Sequence, residues 1–189
     1  MFLIGFTGYS GSGKTTLAER VVAFLAGRGY SVSCVKDAHH RIDLDTPGKD
    51  TFRFRTAGAR QVVLRTPERW ALLEETPGGR EPLGSILGAM ERVDIVVLEG
   101  FKRHGGFPQI EVRRGTGEPP LWEEDPEIVA VASERPDGIP KRLVWLDINR
   151  PEVVADYVAE LFEASPAGLA RSGKGKNQED EDDDDDDSL

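Results

Sequence analysis

The 189-residue chain has one cysteine, Cys34, and three histidines. A single thiol forms no intramolecular disulfide, and without a Cys pair or a His-rich tract there is little to build a structural zinc site. Cys34 falls in a segment that reads as a buried strand, in keeping with a reducing compartment. No apolar run approaches the ~20 residues that a membrane-spanning helix needs. The first apolar stretch is too short, and too poor in charge at its start, for a secretory signal, so a cytoplasmic protein is expected. Base is not in excess either: 24 Lys and Arg against 34 Asp and Glu give a net charge of −10. Nine of those acids form the unbroken run Glu179–Asp187, and without them the net charge falls to −1. A nearly neutral body with an acidic tail excludes a general affinity for nucleic acid.

What is present begins at residue 8. The stretch GYSGSGKTT (8–16) carries Gly8, four intervening residues, then Gly13-Lys14-Thr15, the P-loop pattern. Phe2–Phe6 before it is a short apolar run of strand type. After it, Leu17, Val21, Phe24 and Leu25 recur at helical spacing, which predicts a helix with those four residues inward. Strand, glycine-rich turn and helix bring backbone N–H groups and a helix N-terminus onto one anion. Gly8, Gly11 and Gly13 admit phosphate close to the backbone, with Ser10, Ser12 and Thr16 lining the same turn. Lys14 would neutralise the outer phosphates and the Thr15 hydroxyl would ligate Mg²⁺.

The rest of the chain reads as α/β. Strands are expected at 31–36, 94–100, 109–113, 128–133 and 143–147, the last two buried. Helices are expected at 50–57, from Pro82 (Leu83, Ile86, Leu87, Met90 on one face) and at 151–163 (Val154, Tyr157, Val158, Leu161 inward). Gln61–Arg65 and Trp70–Glu74 read as an antiparallel pair at the sheet edge. The expectation is a three-layer P-loop NTPase fold: a mostly parallel central sheet with one antiparallel pair and helices on both faces. The folded domain is expected to span 1–164, followed by a disordered acidic tail, 165–189.

A P-loop needs a second acid near the metal. Glu99, at the end of an apolar strand, answers as a second metal ligand through water or as the group that orients an attacking water. The loop after the second strand emerges on the same edge, with Lys36, Asp37, His39, His40, Asp45, Lys49 and Asp50. Adjacent histidines in an extended segment point apart, which favours an anion- or partner-facing loop over a Zn or Ni site. Lys102 is a further candidate anion contact.

The segments GYSGSGKTTL, HHRIDLDTPGKDTFRFRTAGA, RWALLEETP, VVLEGFK, IVAVASE and LDIN occur in the order found in the molybdopterin-guanine dinucleotide biosynthesis adapter family (MobB), and the chain resembles that family over residues 2 to about 162. The resemblance implies a GTP- and Mg²⁺-binding protein, usually a homodimer. It would assist the guanylyltransferase that joins GMP to molybdopterin, with molybdopterin itself a second candidate partner, and hydrolyse GTP only weakly. Carried over by position, Gly8, Gly11, Gly13, Lys14 and Thr15 would hold phosphate and Mg²⁺, Glu99 would sit near the metal, and Lys36, His39, His40, Asp45, Lys49 and Asp50 would line the open side. Asp37 stands where the family pattern commonly has His, and the acidic tail is foreign to it. The Asn-Lys-x-Asp guanine signature is absent. Strand 128–133 would deliver Ser133 and Glu134 to the base-reading edge, with Glu134 accepting hydrogen bonds from the guanine N1–H and 2-amino group. Two other readings stand beside the adapter: a small-molecule kinase, which lacks a visible arginine-rich lid, and a metal-inserting GTPase using His39 and His40.

Overall fold

In the computed structural model, which describes residues 1–38, 42, 44–115 and 117–175, the chain divides into two compact units. The first comprises Met1–Asp37 and the chain from Arg92 onward; the second is Ala38–Glu91.

The first unit is built on a six-stranded sheet. Its strands are β1 (Phe2–Thr7), β2 (Val32–Lys36), β5 (Ile95–Glu99), β6 (Gln109–Val112), β7 (Ile128–Ser133) and β8 (Val144–Asp147). They lie in the order β2-β5-β1-β6-β7-β8 and every pairing is parallel. Period-two alternation sends Ile4, Phe6, Ile95, Val97, Ile110, Val112, Ala130 and Ala132 to one face. There they meet α1 (Lys14–Gly27) through Leu17, Ala18, Val21 and Leu25, and α4 (Pro151–Glu163) through Val154, Ala155, Val158, Ala159 and Phe162. The opposite face carries a single 3-10 turn, Leu121–Glu123, whose Leu121 and Trp122 pack with Ile128, Val131 and Leu143. The expected α/β fold, a parallel central sheet with one antiparallel pair and helices, is thus the observed one, while the α-helices described on the core of this sheet share one face.

The second unit holds α2 (Asp50–Thr56), the antiparallel pair β3 (Gln61–Arg65) and β4 (Trp70–Glu74), and α3 (Leu83–Ala89). The pair forms a sheet of its own rather than an edge of the large one.

Four further expectations are corrected. Phe24 is 40% exposed, because α1 turns Leu17, Ala18, Val21 and Leu25 to the sheet and leaves Phe24 at the rim. Cys34 is exposed: β2 is an outer strand, covered on fewer sides than a central one. β8 is the other outer strand, and Val144 and Trp145 are exposed where a buried strand was expected. Finally, the chain carries α5 (Pro166–Gly175) where a tail was expected from 165. Ser165 accepts a hydrogen bond from the Gly168 N–H (3.2 Å), and Pro166 follows at the first helical position; a serine cap and a proline are a helix start. The acidic run 179–187 lies outside the described residues.

Candidate nucleotide-binding site

The site grows from where β1 ends. β5 lies between β1 and β2, with Glu99 registered against Phe6 on one side and Lys36 on the other. The β1–α1 turn and the last residues of β2 and β5 therefore share the carboxyl edge of a parallel sheet, where α/β folds bind ligands. Gly8 has φ +147°, and a Cβ there would lie 2.5 Å from the Val112 carbonyl oxygen and 2.9 Å from Ser12 Oγ. Only glycine fits a loop passing this close to β6. Gly100 plays the same part beside β2: at φ +92°, its Cβ would stand 2.6 Å from the Asp37 carbonyl oxygen. The Asp37 N–H in turn donates to the Glu99 carbonyl (2.8 Å).

α1 begins at Lys14 behind Gly13 (φ +92°), and no side chain caps it. The leading N–H groups of a helix have no intrahelical acceptor, so this end offers donors and a partial positive charge to an anion. The hydroxyl of Ser12, 1% exposed within the loop, makes no hydrogen bond. Buried polar groups are ordinarily paired, and an oxyanion in the loop would supply the acceptor. Ser10, Gly11 and Thr16 lie exposed around the turn.

Three lysines gather around the loop and one carboxylate lies among them. Lys14 Nζ donates to the Tyr9 carbonyl at 2.7 Å, inside its own loop. Burial depresses the Lys14 pKa; Glu99 partly offsets this, and Lys102 and Lys36 add to the depression. Lys102 Nζ sits 3.8 Å from the centre of the Tyr9 ring, a cation–π contact that holds this charge beside the loop. Lys36 Nζ is 3.4 Å from Glu99 Oε1. The Thr15 hydroxyl donates to the same Glu99 oxygen at 2.7 Å, leaving its lone pairs for a cation. The donor set suits Mg²⁺ carried in with a nucleotide, since Mg²⁺ takes few protein oxygens and completes its shell with phosphate and water. Among the described residues no three His, Cys, Asp or Glu side chains form a metal cluster.

Other expected residues fall elsewhere. Ser133 is half-buried and Glu134 exposed at the end of β7. The Ser133 hydroxyl donates to the Arg135 carbonyl (2.6 Å) and accepts from Trp145 Nε1 (3.2 Å). Glu134 lies 3.9 Å from Arg114, which also reaches Asn149 Oδ1 at 3.5 Å. Asp45, Lys49 and Asp50 belong to the second unit. The Asp45 carboxylate accepts from Thr51 Oγ1 (2.8 Å), its neighbour's N–H and Arg55 (3.4 Å). Lys49 is exposed before α2, and Asp50 pairs with Arg53 (3.5 Å). His39 and His40 lie outside the described residues.

Sequence reasoning passed over the clamp behind the loop. Glu111, fully buried, accepts from the Leu121 and Trp122 N–H groups (2.9 and 3.1 Å) and from Arg113 (2.8 Å). Arg113 continues to the Pro119 and Glu118 carbonyls, and its guanidinium lies over the Trp122 ring. The signal was an acid between the apolar Ile110 and Val112, with a base two residues on. Such a pair inside a core needs a structural purpose.

Comparison with known proteins adds the family. Residues 3–134 match the model of MobB, molybdopterin guanine dinucleotide synthesis protein B. The chain belongs to the MobB family. Its relatives include the molybdopterin-guanine dinucleotide biosynthesis adapter proteins of Haemophilus influenzae, 42% identical over 82% of this chain and 86% of that one, and of Escherichia coli, 38% identical over 84% and 91%. A crystal structure of molybdopterin-guanine biosynthesis protein B superposes with a TM-score of 0.68 at 27% identity, over 86% of this chain and 99% of that one. That of Bacillus subtilis MobB gives 0.70 at 21% identity, over 87% and 100%, a likeness of fold. The matched MobB segment contains the P-loop, Lys36, Glu99 and Glu134. Among the described residues of this family member no helix is long and apolar enough to cross a membrane.

Proposed function

We propose that the chain is a GTP- and Mg²⁺-binding adapter in molybdenum cofactor biosynthesis, acting with the guanylyltransferase that attaches GMP to molybdopterin. The observation that carries this reading is the meeting of Lys14, Thr15 and Glu99 at the uncapped start of α1, in a chain of the MobB family. The loop N–H groups and Lys14 bind the phosphates, the lysine exchanging the Tyr9 carbonyl for a phosphate oxygen. Thr15 and Glu99 hold the Mg²⁺, whose chemistry is charge neutralisation on the phosphates. Glu134 reads the guanine edge, and Lys49 and Asp50 belong to the surface offered to the partner.

Weak hydrolysis fits the disposition of Glu99. Its Oε1 accepts the Thr15 proton and neighbours Lys36, so this carboxylate is engaged with the metal seat rather than aimed at a water. A homodimer or a partner finds support in the β3–β4 ribbon, where Val63, Leu72 and Trp70 lie exposed along one face. Two-stranded ribbons rarely stand alone in water, and exposed apolar rows mark interaction surfaces.

The test is reconstitution. Added to purified guanylyltransferase with molybdopterin, GTP and Mg²⁺, the chain raises the rate of molybdopterin guanine dinucleotide formation, and the Lys14→Ala variant does not. No stimulation by the wild type sinks the proposal.

A further inference from the structure

Lys36 stands in an unusual place for an ordinary surface ion pair. It ends an outer strand, its Cα is registered against Glu99, and its ammonium lies 3.4 Å from Glu99 Oε1 and 3.4 Å from Thr15 Oγ1. The Thr15 proton is committed to Glu99 at 2.7 Å, so what Lys36 meets on Thr15 is lone pair. Those two oxygens are the ones that the nucleotide-binding reading assigns to the Mg²⁺ seat. The Lys36 side chain is 57% exposed while that of Glu99 is 14% exposed: the carboxylate is fixed and the ammonium, on a flexible four-carbon stem, is free to leave.

We propose that the Lys36 ammonium is a resident counter-ion of the Mg²⁺ seat, which holds Thr15 and Glu99 in place without metal and which Mg²⁺ must displace. The inference rests on the nucleotide-binding reading and deepens it. A monovalent and a divalent cation a few ångströms apart in a partly desolvated site repel strongly, so the two do not share the seat. With Lys36 in place, the positive charge that phosphates require is already supplied in part by protein. Nucleotide binding then depends only modestly on Mg²⁺. Once displaced, the ammonium is carried outward on its stem, toward the side from which phosphate enters.

The experiment is calorimetric titration with GTP, in EDTA and in millimolar Mg²⁺, of the wild type, Lys36→Met and Lys36→Arg. The wild type binds in both conditions with a modest gain from Mg²⁺. In Lys36→Met the metal-free affinity falls about tenfold, as one lost charge–phosphate interaction warrants. The Mg²⁺-loaded affinity holds or tightens, so the ratio between the two conditions widens by at least that factor. Lys36→Arg, which keeps the charge, behaves like the wild type. Circular dichroism checks folding, and Lys36→Gln replaces the methionine variant if that one misfolds. An unchanged ratio overturns the inference. So does an equal loss in both conditions, which makes Lys36 a plain phosphate ligand. A wild type that binds no GTP in either condition overturns the nucleotide-binding reading itself, and this inference with it.

Discussion

The two ends of the parallel sheet carry similar side chains in opposite states. At the amino end, Asp94 accepts from the Ser31 N–H and hydroxyl (2.8 Å each) and pairs with Arg171 (3.3 Å). Arg171 also donates to the Gly29 carbonyl and lies over the Tyr30 ring, whose hydroxyl donates to Glu163 (2.6 Å). Asp94, Arg171 and Glu163 are each answered by the protein. At the carboxyl end, Lys36 pairs with Glu99, Lys14 and Lys102 stand at the loop, the helix start is uncapped and the Ser12 hydroxyl is buried without a partner. The first arrangement fastens α5 and β5 together and is complete. The second has donors and positive charge to spare, and it is the end that the P-loop sequence marks.

The contrast breaks most visibly at Lys14. Lys14→Ala is expected to weaken GTP binding by about a hundredfold or more, while the melting temperature stays within a degree or so, because Lys14 supports no core. An unfolded variant would make this lysine structural and erase the distinction. Next in size, Glu134→Ala lowers the preference for GTP over ATP by about tenfold, the worth of a lost charge-assisted hydrogen bond. Competition titration with the two nucleotides reads this directly, and an unchanged preference removes Glu134 from base recognition.

The amino end should show the reverse pattern. The double change Tyr30→Phe with Arg171→Ala costs about 1 kcal/mol, since its contacts are exposed, and lowers the melting temperature by ~2–4 °C. GTP affinity is unaffected; a loss of binding would mean that the two ends are coupled. The smallest effect is in acid. Burial alone would raise the Asp94 pKa, but the Ser31 hydrogen bonds and Arg171 outweigh it, leaving the carboxyl below its ordinary value. Its stabilisation is therefore present above the unfolded-state pKa of about 4 and is lost as pH falls through the native one. Asp94→Asn should flatten that acid limb in a denaturation series run from pH 6 downward.

Legibility in the sequence followed the same division. β3, β4, β7 and α4 were readable to the residue, because apolar runs and Pro151 mark their limits. That the P-loop, Lys36 and Glu99 share one sheet edge was readable from motif and strand ends. What escaped is what depends on main chain or on distant partners. Lys14 rests on a carbonyl, which no residue type announces. α5 has three glycines in ten residues, and it is held by contacts to Gly29 and Asp94, far away in sequence. Gly168 even lets it press close to Phe162, where a Cβ would stand 2.2 Å from a carbonyl oxygen. Outer-strand exposure at Cys34 and Val144 also escaped, since strand order is a property of the whole sheet.

The most direct measurement is parallel calorimetric titration of the purified chain with GTP and with ATP, each with and without Mg²⁺. Binding of GTP that is tighter than that of ATP and gains from Mg²⁺ is the predicted result. Equal binding of the two, or a preference for ATP, would contradict the adapter reading and bring the phosphate-transferring kinase to the front.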